Sequence, residues 1–200
     1  MTDAIPAVVP AGTMSAAAQP VFPLPGGFRL RPWESADAAD LAASCQDPKV
    51  RQWNRPVLMS PAEARERIAR WRERWRTEEA AIWAISSPEE DRPVGLIGLG
   101  DVDLGGGSAE FVYWLLPAGR GHGLMTAATL STSRWALDDL GLHRLRITHS
   151  VANPASCRVA ERAGFALEGT MRSALLHVDG WHDEHLHARV QGDPWPAAVI

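Results

Sequence analysis

The sequence predicts an α+β sandwich, a mixed and mostly antiparallel sheet with helices packed against it. Three observations carry that prediction. Apolar residues recur at helical spacing in some stretches and alternate in others. The stretches follow in the order β, helices, βββ, α, β, α, ββ, not as a strict strand-helix alternation. The 200 residues with 46% hydrophobic content suffice for one sizeable core and fall short of two. A single domain over residues 27–191 is expected. Before it, residues 1–26 are Ala/Pro-rich and read as a disordered lead-in; after it, residues 192–200 read as a Pro-broken tail.

Each element has its own signal. "FRLRPW" (28–33) alternates as a strand does, and "SADAADLAASC" (35–45) reads as a short helix. Ser60-Pro61-Ala62-Glu63 combines a capping box with proline at the first helical position, so a helix starts there. Ala64, Ile68, Trp71 and Trp75 follow on one stripe, a core face or a wall of an acceptor site. Residues 80–86, 93–104 and 109–116 are strands separated by polar and glycine-rich turns, an antiparallel meander. A long helix then carries Leu124, Ala128, Ser131 and Trp135 on one face and stops at Gly141. "HRLRITHSV" (143–151) is a strand, the next helix is capped by Asn153 and closed by Gly164, and two strands meet around Asp179-Gly180.

Composition narrows the function. A formal net charge of −4 offers no basic stripe for a phosphate backbone, which argues against nucleic acid as partner. No uninterrupted apolar stretch is long enough to cross a membrane, and the N-terminus lacks the basic and apolar regions of a signal peptide. Cys45 and Cys157 are too few for a disulfide framework and lack zinc-site spacing. A cytoplasmic protein is expected.

One turn points to a ligand. The strand 109–116 runs into "PAGRGHG" (117–123) and then into helix. Unpaired amides converge at such a helix start, the dipole adds positive character, and glycine lets an anion approach the backbone. The bland reading is an ordinary glycine-rich loop. A P-loop is excluded because no Gly-Lys-Ser/Thr ending follows Gly123. "GLGDVDLGGG" (98–107) mimics a dinucleotide fingerprint but has no helix behind it.

"YWLLPAGRGHGLMTAA" resembles the acyl-CoA-binding motif of the GNAT superfamily of N-acetyltransferases, in which Arg120 and Gly123 fit and Met125 departs from the usual Gly or Ala. "NPASCRVAERAGFALEG" is similar to the Asn-x-x-Ser and Gly-Phe pattern of the RimJ/RimL branch, which acetylates protein N-termini. The resemblance covers residues 27–191. It implies a GNAT-like sheet, acetyl-CoA as acyl donor, no metal, and direct attack by a primary amine in a ternary complex.

The resemblance also implies site residues. Main-chain groups near Trp114, Leu115 and Leu116 would meet the pantetheine arm, and amides of Arg120, Gly121, His122, Gly123, Leu124, Met125 and Thr126 would hold the pyrophosphate. Asn153 and Ser156 would lie beside pantetheine and sulfur, with Ser156 assisting the leaving thiolate; Asn153 reads equally as a helix cap. The tyrosine that other members place four residues before Gly-Phe is Ala160 here, so another group must assist departure of the thiolate. Glu110 is the candidate base and His149 the runner-up; a strand-end glutamate and a structural histidine are their alternatives. Tyr113 packs or lines the cleft. His182, His185 and His187 suggest a metal, but in a strand His185 and His187 share a face while His182 points opposite, so they read as structural or as acceptor pocket.

For the acceptor, freeing a lysine-like amine at pH 7 costs about 4.6 kcal/mol and an α-amine only about 1 kcal/mol, from reference values near 10.4 and 7.8. A site without a strong base therefore suits a protein N-terminus. Small amines such as aminoglycosides, polyamines or amino acids, a succinyl donor, and a binding module without turnover remain alternatives. A homodimer through a sheet edge or exposed tryptophans is left open.

Overall fold

The computed structural model describes residues 5–197. Its sheet has eight strands: β1 (Phe22–Pro23), β2 (Arg29–Pro32), β3 (Ala81–Ser86), β4 (Pro93–Asp103), β5 (Ser108–Leu115), β6 (Arg144–Ser150), β7 (Ala166–His177) and β8 (Gly180–Val190). They lie in the order β1-β2-β3-β4-β5-β6-β8-β7. Five α-helices accompany them: α1 (Ala38–Ser44), α2 (Pro48–Asn54), α3 (Pro61–Arg76), α4 (Leu124–Arg134) and α5 (Pro154–Arg162). This is the expected mixed, mostly antiparallel sheet. Only β5 and β6 are parallel, because α4 carries the chain back across a face between them.

That parallel pair is short. It runs from Ser108↔Arg144 to Glu110↔Arg146, after which β5 continues to Leu115 and β6 to Ser150 without pairing to each other. A register shift between Gly100 and Asp103, in the neighbouring β4–β5 pair, bends the sheet beside the last shared residue. The result is a wedge-shaped opening in the middle of the sheet.

Side-chain alternation splits the core between two faces. On one, Trp83, Leu99, Phe111, Leu124, Leu145 and Phe165 pack under α4 and α5. On the other, Trp33, Leu41, Ile68, Ile82 and Leu96 pack under α1 and α3. The α3 stripe serves both: Ala64 and Ile68 are fully buried on the second face, whereas Trp75 turns to the first, stacks on Trp135 at 5.7 Å and meets Trp83 edge-on. Both arms of the Ser60–Glu63 capping box are formed. Gly98 has no part in binding; a Cβ there would sit 2.3 Å from Ile82 Cδ1, so the false dinucleotide motif is a close strand contact.

Two tails differ from expectation. Residues 5–26 are not a free lead-in: Val8 and Val9 amides donate to the Gly105 and Leu104 carbonyls, and Val9 and Met14 are each 2% exposed in the core. Composition signals low order only on average, and here Val8 and Val9 pair with the glycine-rich 104–107 turn while Val9 and Met14 join the core. In the tail, the Trp195 ring lies 3.9 Å over the Arg189 guanidinium, which also donates to the Asp193 and Pro194 carbonyls. Between these ends, α2 is an unforeseen helix, begun by Asp47 as cap and Pro48 at its first position. The long helix ends in a single π turn (Trp135–Asp139) before Gly141, at φ 88°, stops it.

Candidate active site

A cleft of ≈ 380 Å³ opens between the end of β5 and the start of α5. Lys49, Val50 and Gln52 to Asn54 of α2, Tyr113 to Leu115 of β5, Arg120, Met125 and the first turns of α5 line it. Of the strand expected over 109–116, Tyr113, Trp114 and Leu115 line the cleft. Past Glu110 the edge of β5 facing β6 has no strand partner, so its main-chain groups, apart from the Leu115 carbonyl held by Arg120, are open to a ligand.

At one end of the cleft the chain enters α4. Gly121 and Gly123 adopt φ values of +85° and +68°, and nothing lies within 4 Å of where a Cβ would stand on either. No side chain caps α4, and its first ladder bond runs from Ala127 to the Gly123 carbonyl. The amides of Leu124, Met125 and Thr126 therefore remain available, as do the exposed Gly121, His122 and Gly123. This arrangement fits the pyrophosphate of a coenzyme A donor. Met125 is 6% exposed, packs in the core and also lines the cleft.

Two expected donor contacts need correction. Arg120 turns inward: its amide donates to the Pro117 carbonyl, and its guanidinium bonds the Leu115 carbonyl at 2.9 Å and Asp47 at 2.7 Å. Against the opposing effect of burial, the Val50 amide and Arg120 hold the Asp47 carboxyl below its usual range. Arg120 thus joins α2 to the end of β5 and braces the cleft. Leu116 has its amide bonded to the Val94 carbonyl and its side chain in a separate cavity beside Phe28 and Arg92. It does not face the cleft.

On the opposite wall, Asn153 caps α5 by accepting from the Ser156 amide and also lines the cleft. Ser156 is 6% exposed, and its hydroxyl stands 2.6 Å from the Tyr113 hydroxyl across the opening. Burial pushes the Tyr113 phenol up to about 12, against the pull of its bond to Ser156, so it stays protonated at neutral pH. Tyr113 was read only as packing or lining. Its alternation on β5, in phase with Phe111, was the available signal for its direction.

The candidate bases lie apart. Glu110 lines a different cavity with Trp71 and Arg74, and its carboxylate accepts from Arg146 Nε at 2.7 Å and Thr148 Oγ1 at 2.5 Å. It is neither free nor deeply buried. His149 is buried beneath α5 and does not line the cleft. Strand alternation puts it on the opposite face from Thr148 and hence from Glu110. The sequence also passed over Glu184, buried on β8 opposite Ser150; burial pushes its carboxyl up, with His177 working against that and Glu110 with it. His182 stands on the same face, bonded to Ser150 Oγ and Asp179 and close to Trp53 of α2. As expected, His185 and His187 share the other face, where β6 adds His149 and α5 adds Cys157.

This fold and cleft define a class. Residues 28–166 match the acetyltransferase (GNAT) domain, and the chain belongs to that family. It is an acetyltransferase, and acetyl-CoA is the donor its family uses. Among curated relatives, the Bacillus subtilis protein named probable N-acetyltransferase YjcK is 32% identical over 130 residues, 64% of this chain and 72% of that protein. The ribosomal-protein-serine acetyltransferase of Escherichia coli is 32% identical over 102 residues, 51% of this chain and 57% of that protein. Among solved structures, RimL in complex with coenzyme A superposes with a TM-score of 0.77 at 21% identity, covering 86% of this chain and 98% of that one. Mycobacterium smegmatis RimJ does so at 0.74 and 24%, covering 86% of each. Among the described residues, no helix is long and apolar enough to cross a membrane.

Proposed function

We propose that this acetyltransferase acts on the N-terminal α-amine of a protein, by direct attack of the amine on the acetyl thioester in a ternary complex in the cytoplasm. The observation that carries the reading is the state of Glu110, the carboxylate at the base of the wedge, already held by Arg146 and Thr148. Each of its two oxygens already accepts a hydrogen bond, one from a guanidinium and one from a hydroxyl. It can orient an ammonium or a water, which suffices for an α-amine and not for a lysine. The name of the Escherichia coli relative, a ribosomal-protein-serine acetyltransferase, supports the same acceptor class.

The other roles follow from position. The α4 amides and the two left-handed glycines receive the donor's pyrophosphate. The edge of β5 that has no strand partner past Glu110, where the Leu115 carbonyl is taken by Arg120 and the Leu115 amide is not, aligns the pantetheine and polarises the carbonyl. Ser156 donates a proton toward the leaving sulfur, and Tyr113 replenishes it through the 2.6 Å contact. Together these two residues fill the place left by Ala160. His149 is assigned no part in proton transfer.

The test is acceptor-dependent release of coenzyme A from acetyl-CoA, scanned over Ser-, Ala-, Thr- and Met-starting peptides, the same peptides with blocked N-termini and an internal lysine, and small amines. Release with free N-termini alone supports the reading. Turnover confined to small amines, or none at all by protein shown to bind acetyl-CoA, overturns it.

A further inference from the structure

On the face beneath α5, three imidazoles and a thiol converge from three elements: His149 of β6, His185 and His187 of β8, and Cys157 of α5. One ligand atom from each lies within 4.8 Å of all the others. Sequence neighbours do not explain this. The register His149↔His185 and Ile147↔His187 brings the histidines side by side, and the α5 helix lowers Cys157 Sγ to 3.9 Å from His187 Nε2.

The nitrogens are set for coordination rather than for one another. His149 Nδ1 stands 2.9 Å from the Ser150 carbonyl, and His187 Nδ1 stands 3.4 Å from the Phe165 carbonyl. Each Nδ1–H donates there, which fixes the tautomer and leaves the Nε2 lone pair directed into the cluster. His149 Nε2 and His185 Nδ1 are buried with no hydrogen-bond partner. His149 is 6% exposed and His187 fully buried, so water does not compensate for the missing partners. Backbone carbonyls orienting imidazoles whose second nitrogens stay free are the outer shell that metal-ligating histidines use.

We propose that His149, Cys157, His185 and His187 form a four-coordinate site for a divalent transition-metal ion of the zinc class, which ties α5 to β6 and β8. Three imidazoles and a thiolate suit a borderline-soft ion. Tetrahedral zinc at its usual bond lengths would hold these atoms about 3.3 to 3.6 Å apart, so the side chains need to close by roughly 1 Å. Binding converts the Cys157 thiol to a thiolate and releases its proton to solvent; no redox change is involved. Because α5 also carries Asn153 and Ser156, the ion would set the position of the wall of the cleft. This site is distinct from the histidine pair His177 and His182, which face the other side of the sheet.

The experiment uses the full chain without an affinity tag, reduced and stripped of metal, titrated with Co²⁺ and then Zn²⁺. The expected result is one equivalent of Co²⁺ bound, with the visible absorption of four-coordination and a thiolate charge-transfer band, both abolished by Zn²⁺. Cys157→Ser should remove the charge-transfer band, and His187→Gln should weaken binding at least tenfold, whereas the exposed His143→Gln should change neither. Zn²⁺ should raise the melting temperature of the wild type and not that of Cys157→Ser, with circular dichroism confirming that each variant is folded. Substoichiometric binding, a band that persists in Cys157→Ser, or an equal effect of His143→Gln overturns the proposal.

Discussion

The two halves of the sheet, parted where β5 leaves β6, treat buried charge differently. In the β1–β5 half, Arg31 and Asp37 are 5% and 6% exposed and meet through two parallel bonds of 2.7 and 2.9 Å. Arg31 is further bonded to the Asp91 carboxylate and carbonyl. In the β6–β8 half, His149, His177, His187, Glu184 and Arg189 are buried, and His149 Nε2, His177 Nε2 and Arg189 Nε lack any partner. A closed polar pair holds a fold together; buried groups left partly open are poised to meet something else. In the first half the buried charges are paired and serve stability, although Trp33 Nε1 and Ser86 Oγ lack partners there too; in the second the buried groups left open are ionisable ones.

The largest expected effect breaks the closed pair. Asp37→Ala removes the two-bond partner of the buried Arg31 guanidinium and leaves it only the half-exposed Asp91 carboxylate and two carbonyls, a loss of about 3 kcal/mol of folding stability. Urea unfolding measures it, and kcat of the fraction that remains folded should be unchanged. A loss under about 1 kcal/mol would show that the pair merely occupies space, and the contrast between the halves would fail.

The next effect belongs to the open half. Ser156→Ala should lower kcat about ten- to a hundredfold, roughly 1.4–2.7 kcal/mol in the barrier, with folding stability nearly intact. Tyr113→Phe should cost less because Ser156 still faces the cleft. If the hydroxyls work as a relay, the double variant loses little more than Ser156→Ala alone. Multiplied losses would assign them separate roles.

Most of the frame was legible because its signals are local. The capping box at Ser60, the proline at the start of α3 and the apolar runs of β3 to β5 between polar and glycine-rich turns each report on neighbours in sequence. The glycines at 121 and 123 announced the α4 turn for the same reason. What stayed hidden depends on contacts across the fold. The Tyr113–Ser156 pair spans 43 residues, and the Val9 and Met14 contacts with the core span many more. The inward turn of Arg120 depends on Asp47, 73 residues away. The α2 helix is the exception, since its Asp47-Pro48 start is a local signal present in the sequence.

Glu110→Gln sharpens the distinction between weak and strong base. With a Ser-starting peptide the rate should fall about tenfold or less, and its pH profile should still follow the acceptor's own ionisation, near 7.8 for an α-amine. A collapse of several hundredfold, with loss of an inflection well below that value, would make Glu110 the essential base despite its partners.

The smallest effect separates the two jobs of Asn153. Its side-chain oxygen accepts from the Ser156 amide at 3.3 Å, and the same residue lines the cleft. Removing the cap with Asn153→Ala should cost about 1 kcal/mol of stability, whereas Asn153→Ser keeps a capping oxygen and should restore most of it. If Asn153 only caps, kcat/KM for acetyl-CoA recovers together with stability in the serine variant. If its amide also touches the donor, Asn153→Ser folds like the wild type and still has a raised KM for acetyl-CoA. Because α5 begins at this residue and also carries Ser156, a raised KM with unchanged kcat would place the lost contact on the donor and leave the position of Ser156 intact.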